Sequence, residues 1–149
     1  MIRAATAVMT ASWLLSTAAA PLSAAEPSER AFVEHRLVLQ ISDADAAKQA
    51  LVLSVANNVL KVYGPDKLDI EIVAFGPGVA LLRADNANAA KIRSLVAQGV
   101  RFDVCMNTVA TIERETGQPF PLSPDAHKIE AGVARLLTLA EQGYTVVRP

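Results

Sequence analysis

One cysteine occurs in the chain, and its neighbours are those that turn a thiol into a nucleophile. Gly99-Val100-Arg101-Phe102-Asp103-Val104-Cys105 reads as a short strand, because Val100, Phe102 and Val104 alternate with Arg101 and Asp103 at a two-residue period. Asn107 and Thr108 follow at once. Both are good helix N-caps, and Val109 to Arg114 continues as a helix. Cys105 thereby falls in a strand-to-helix turn, beside free N–H groups at the positive end of a helix, where thiolate is favoured over thiol. The competing reading is a small buried hydrophobe that packs and does nothing else.

The other residues with chemical potential are few. Gly76-Pro77-Gly78 is a turn whose glycines let backbone approach a ligand or a neighbour closely. It is too short to cradle a phosphate. His35 and His127 are the two histidines. His127 is expected at a strand start, at the sheet edge opposite Cys105, which speaks against a Cys/His nucleophile–base pair. Cys105, Met106 and a histidine are soft ligands plus an imidazole, but they are not clustered in sequence, so neither a metal site nor a cofactor is implied.

The elements that must position these residues can be read in order. Met1 to Ala25 has Arg3, an apolar run to about Leu15 and a small-residue ending, Ser23-Ala24-Ala25, which is the pattern of a cleaved secretory signal. Thr6, Thr10, Ser12, Ser16 and Pro21 interrupt it too often for a membrane-spanning helix. Cleavage leaves residues 26–149 as one domain, exported to a compartment such as the periplasm. Loss of Arg3 takes the basic count from 14 to 13 against 15 acidic residues, a balance that argues against nucleic acid or an anionic membrane as partner. A lone cysteine makes no internal disulfide, so in an exported protein it pairs between chains, stays buried or reacts.

Arg36 to Ile41 is expected as a first strand. A helix follows from Ala44 to Tyr63, started by Ser42-Asp43, with Ala47, Leu51, Val55, Val59 and Val62 as its apolar stripe and Gly64-Pro65 at its end. Leu68 to Phe75 is a second strand, Val79 to Leu82 a short helical turn, and Asn86 to Gln98 a second helix. The helix after Cys105 runs to about Thr116. The loop from Gly117 to Pro124 holds three prolines and reads as a stiff connector, long enough to fold over a neighbouring site. His127 to Glu130 forms a short strand, Ala131 to Gln142 a helix buried through Val133, Leu136, Leu137 and Ala140, and Tyr144 to Val147 the last strand. Strands alternating with helices predict an α/β fold, a doubly wound sheet of about five mostly parallel strands with helices on both faces. Ligand chemistry in such sheets gathers beyond the carboxyl ends of the strands, where Gly76–Gly78 and Cys105 both fall.

Three blocks carry a resemblance to the DsrE/DsrF-like proteins over Arg36 to Arg148. They are Val73-Ala74-Phe75-Gly76-Pro77-Gly78-Val79 with Leu81-Leu82, then Gly99 to Thr108, then Gly132-Val133-Ala134-Arg135-Leu136 with Glu141-Gln142-Gly143-Tyr144. The resemblance implies a compact, flavodoxin-related α/β sandwich, commonly assembled into trimers or hexamers. It also implies persulfide carriage in a sulfur relay, with Cys105 at the position of the sulfur-carrying cysteine. Donor and acceptor would be proteins or small sulfane-sulfur compounds. Asn107, Thr108 and nearby N–H groups would hold the anion, with Met106 beside them, and Gly76, Pro77 and Gly78 would admit the partner's sulfur. The alternative is a non-enzymatic oligomeric binding module in which Cys105 is structural.

Overall fold

Among residues 33–149, which a computed structural model describes, five strands form one sheet in the order β4-β3-β2-β1-β5. They are β1 (His35–Ile41), β2 (Leu68–Ala74), β3 (Arg101–Cys105), β4 (His127–Ile129) and β5 (Thr145–Val147). Every neighbouring pair is parallel. The expected signal segment, 1–25, lies outside the described residues. Four helices connect the strands: α1 (Ala46–Tyr63), α2 (Ala89–Ala97), α3 (Met106–Thr116) and α4 (Gly132–Glu141). A 3-10 segment, Gly76–Leu82, stands where the short helical turn is expected and includes the Gly-Pro-Gly turn. The α/β sheet with helices on both faces is thus the observed fold.

The topology follows from handedness. From β1 to β4 the chain steps along the sheet in one direction, and right-handed crossovers put α1, α2 and α3 on one face. From β4 it returns across the whole sheet to β5, so α4 crosses the other face. The connections leaving β3 and β4 therefore diverge to opposite faces. That divergence opens a crevice at the carboxyl ends of these two strands, where doubly wound sheets bind ligands.

The two faces are filled differently. Leu39, Ile70, Ile72, Phe102 and Val104 meet Val52, Leu53, Ala56, Ile92 and Leu95 in the main core. On the other face Val38 and Val73 meet Leu136 and Leu139 of α4, with Phe75, Ile129 and Tyr144 packed around them.

Two expected helix stripes are corrected. α1 buries Gln49, Val52, Leu53, Ala56 and Leu60, leaving Leu51 and Val62 exposed and Ala47 on the surface. This helix is apolar over much of its circumference, so helical spacing alone admits more than one stripe, and contact with the sheet selects between them. α4 turns Gly132, Arg135, Leu136 and Leu139 inward and leaves Val133, Leu137 and Ala140 outside. The inward set follows i, i+3, i+4, i+7, and Arg135 belongs to it because buried carboxylates await it on the sheet.

Helix starts are also corrected. Asp45, and neither Ser42 nor Asp43, caps α1, its carboxylate accepting from the Lys48 N–H at 2.9 Å. α2 starts at Ala89, three residues after Asn86, whose side chain accepts from the Asn88 N–H in the preceding turn. The proline-rich loop docks on the end of the 3-10 segment: the Ala84 N–H donates to Pro121, the Ser123 N–H donates to Leu82, and Phe120 lies beneath Arg83. It serves as a connector on the main-core face.

Candidate functional site

β3 ends on Cys105, which is also the N-cap of α3. The helix begins at Met106, so Asn107 and Thr108 sit inside its first turn and neither is the cap. This is a correction, and its consequence is chemical: the first-turn N–H groups of Asn107 and Thr108 both favour the Cys105 thiolate, and the Asn107 N–H also donates to the Glu130 carbonyl at 3.1 Å. A third N–H comes from Gly132 at the start of α4. The sulfur therefore lies between two helix N-termini, within the crevice the topology opens. Sequence reading anticipated the α3 end and missed the α4 end, because the chain returns through β4 before supplying it.

Burial pushes the Cys105 thiol up, since the side chain is only 6% exposed. Hydrogen bonds from the Thr108 hydroxyl and from the Gly132, Thr108 and Asn107 N–H groups outweigh it and bring the thiol below its ordinary range. Sγ also sits 3.8 Å from the Glu130 carbonyl, a weak acceptor contact for a neutral S–H.

The Gly76–Gly78 turn joins this site. The Gly76 N–H donates to the Thr108 hydroxyl at 3.1 Å, tying the end of β2 to the start of α3. Gly78 serves packing: a Cβ there would come within 2.3 Å of the Ile41 carbonyl oxygen, so only glycine lets the segment cross the end of β1. A cleft of about 510 Å³ is lined by Gly76, Pro77, Asn107, Thr108, Thr111 and Ile112. A second hollow, about 360 Å³, lies along Glu130, Ala131, Ala134 and Arg135. The immediate neighbours of Cys105 line both. Met106 packs against the main core instead.

Below the cysteine, on the same side of the sheet, lies an ionic cluster that sequence reading did not single out. Glu71 and Asp103 are buried, and Arg135 reaches both: Nη2 is 2.6 Å from Glu71 Oε1, and Nε is 3.0 Å from Glu71 Oε2 and 3.2 Å from Asp103 Oδ2. Arg101 Nε donates to Asp103 at 2.9 Å, and His127 Nδ1 lies 3.0 Å from the same carboxylate oxygen. His127 thus stands on the strand next to β3, with its ring against Asp103 and Arg101, and no hydrogen bond joins it to Cys105. It stands at the start of β4, as expected, level with Asp103, whereas Cys105 ends β3 level with Ile129. Burial and a hydrogen bond with Asp103 push the Glu71 carboxyl up to about 7 against the pull of Arg135. Strand parity was the usable signal, since Glu71, Asp103 and Cys105 all project to the α4 face. The missing fact was that Arg135 is folded onto them.

Among the described residues no three histidine, cysteine, aspartate or glutamate side chains gather as metal ligands would, and no helix is long and apolar enough to cross a membrane. Fold and site together define a doubly wound parallel α/β protein with a thiol at its topological switch point. No family model matches the sequence, and no curated protein matches it. Among solved structures the chain is similar to the protein of unknown function MTH1491 from Methanobacterium thermoautotrophicum. The two are 28% identical with a TM-score of 0.69, over 78% of this chain and 100% of the other.

Proposed function

We propose that the protein carries sulfane sulfur as a persulfide on Cys105, as a DsrE/DsrF-like relay protein outside the cytoplasm. The observation that carries this reading is the seat of Cys105 at the N-cap of α3, its Sγ 3.8 Å from the Glu130 carbonyl just before α4, where hydrogen bonding by Thr108, Gly132 and Asn107 lowers the thiol below its ordinary range against burial. Such a seat stabilises a thiolate and, after transfer, the anionic outer sulfur of a persulfide. The Cys105 thiolate attacks the outer sulfur of a persulfide or polysulfide donor. The new Cys105 S–S bond forms as the donor's S–S bond breaks, and the donor leaves as a thiolate that takes up a proton. An acceptor thiolate then attacks the outer sulfur and releases Cys105 as thiolate, so no external oxidant or reductant is consumed. The open cleft at Gly76, Pro77, Asn107 and Thr108 is the approach for either partner. Assembly into a homo-oligomer belongs to the same reading, supported by exposed Val133 and Leu137 on α4 and Val146 and Val147 on β5.

The 6% exposure of Cys105 supports a second reading, a binding module in which the cysteine is packing. Mass spectrometry after incubation with inorganic polysulfide separates the two. Sulfur carriage adds about 32 Da per sulfur, removable by reductant and absent in Cys105→Ser, by thiolate attack on the donor S–S bond. A wild-type thiol that takes no sulfur, and reacts with alkylating agent only after denaturation, leaves the binding module.

A further inference from the structure

We propose that Arg135 is a positioning residue for Cys105: its ion pairs with Glu71 and Asp103 hold the first turn of α4 on the sheet and so keep the Gly132 N–H on the sulfur. The inference rests on Cys105 working as a thiolate, whatever group it carries.

The geometry is specific. Val133 and Ala134 of the first turn are exposed, so Gly132 and Arg135 are its inward positions; the chain just before it is tied to α3 by the Asn107 N–H, which donates to the Glu130 carbonyl at 3.1 Å. Gly132 has no side chain to anchor it; its Cα sits so close to Phe75 that a Cβ would come within 2.7 Å of the Phe75 Cβ. Arg135 lies one position short of a full turn further on and therefore on the same helix face. Its guanidinium spans Glu71 on β2 and Asp103 on β3, two residues before Cys105. A planar fork fixes both distance and angle, which a single apolar contact does not. The other charged groups touching the cluster are Arg101 and His127, both held on Asp103, and neither touches α4 through an ion pair.

The test is the pH profile of Cys105 alkylation in the folded protein, which reads the apparent thiol pKa without any sulfur donor. In the double variant Arg135→Met, Glu71→Leu one positive and one negative group leave together, Asp103 keeps Arg101 and His127, and net charge changes little. The profile is expected to move up by about one pH unit, leaving roughly tenfold less thiolate at neutral pH, through loss of one charge-stabilising donor. Arg135→Lys keeps the charge and loses the fork, and a smaller shift in the same direction is expected. If the double variant does not fold, the lysine variant decides alone. An unshifted profile in the folded variants overturns the proposal, and a lowered melting temperature with that unshifted profile assigns the cluster to stability only. Failure of wild type to take up sulfur while its thiol still alkylates in the folded protein removes the carrier reading alone; a thiol that alkylates only after denaturation overturns both.

Discussion

The two faces of the sheet are built on opposite plans. The face under α1, α2 and α3 buries nineteen apolar residues in one cluster, and its buried polar residues are both neutral: Gln49, bonded to Asn86 and to the Ala44 carbonyl, and Ser123 of the docked loop. The face under α4 buries four apolar residues and sets a carboxylate pair, two arginines and a histidine beside them. The first face is built on apolar packing and the second on charge. A face covered by one helix has room for a cleft and for charges, and its hold on that helix depends on ion pairs as well as packing.

Deletion in the two cores should separate them most. Phe102→Ala removes a fully buried ring from the crowded face and should cost about 3–5 kcal/mol. Leu136→Ala, on the sparse face where the site is already 8% exposed, should cost about 2 kcal/mol. Urea denaturation measures both, and equal losses would break the contrast.

Next in size is a pH effect confined to the α4 face. The Glu71 carboxyl titrates near 7 in the folded protein against an ordinary 4.5, so between these values the folded state holds a proton that the unfolded state has released. Stability should therefore fall as pH rises through this window, by at most about 1.4 kcal/mol per pH unit for one proton. Glu71→Gln should flatten that slope in denaturation curves taken at pH 5 and pH 8. A wild-type curve already flat across the window would show that Arg135 fully offsets the burial.

The smallest effect is expected at the open surface of α4. Val133→Ser with Leu137→Ser should change monomer stability by less than about 0.5 kcal/mol per site, because both side chains face solvent. The same pair should dissociate an oligomer that uses this face, visible as a fall in mass by light scattering. A wild-type protein that is already monomeric at micromolar concentration would count against assembly there.

What the sequence determined by itself is whatever local periodicity and turn chemistry encode. The alternation of Val100, Phe102 and Val104 marked β3, the apolar runs marked β1 and β2, Gly64 marked the end of α1, and the order of elements implied a parallel sheet with Cys105 and the Gly76–Gly78 turn at one edge. Only the tertiary structure decided which stripe of α1 and of α4 is buried, since a helix apolar on several sides takes its orientation from the sheet it meets. It alone brought Arg135 onto Glu71, across 64 residues of chain, and Gly132 to Cys105, across a helix, the proline-rich loop and a strand. Those pairings depend on the return of the chain from β4 to β5 over the empty face. Charges distant in sequence carry no local mark of the partner that will neutralise them.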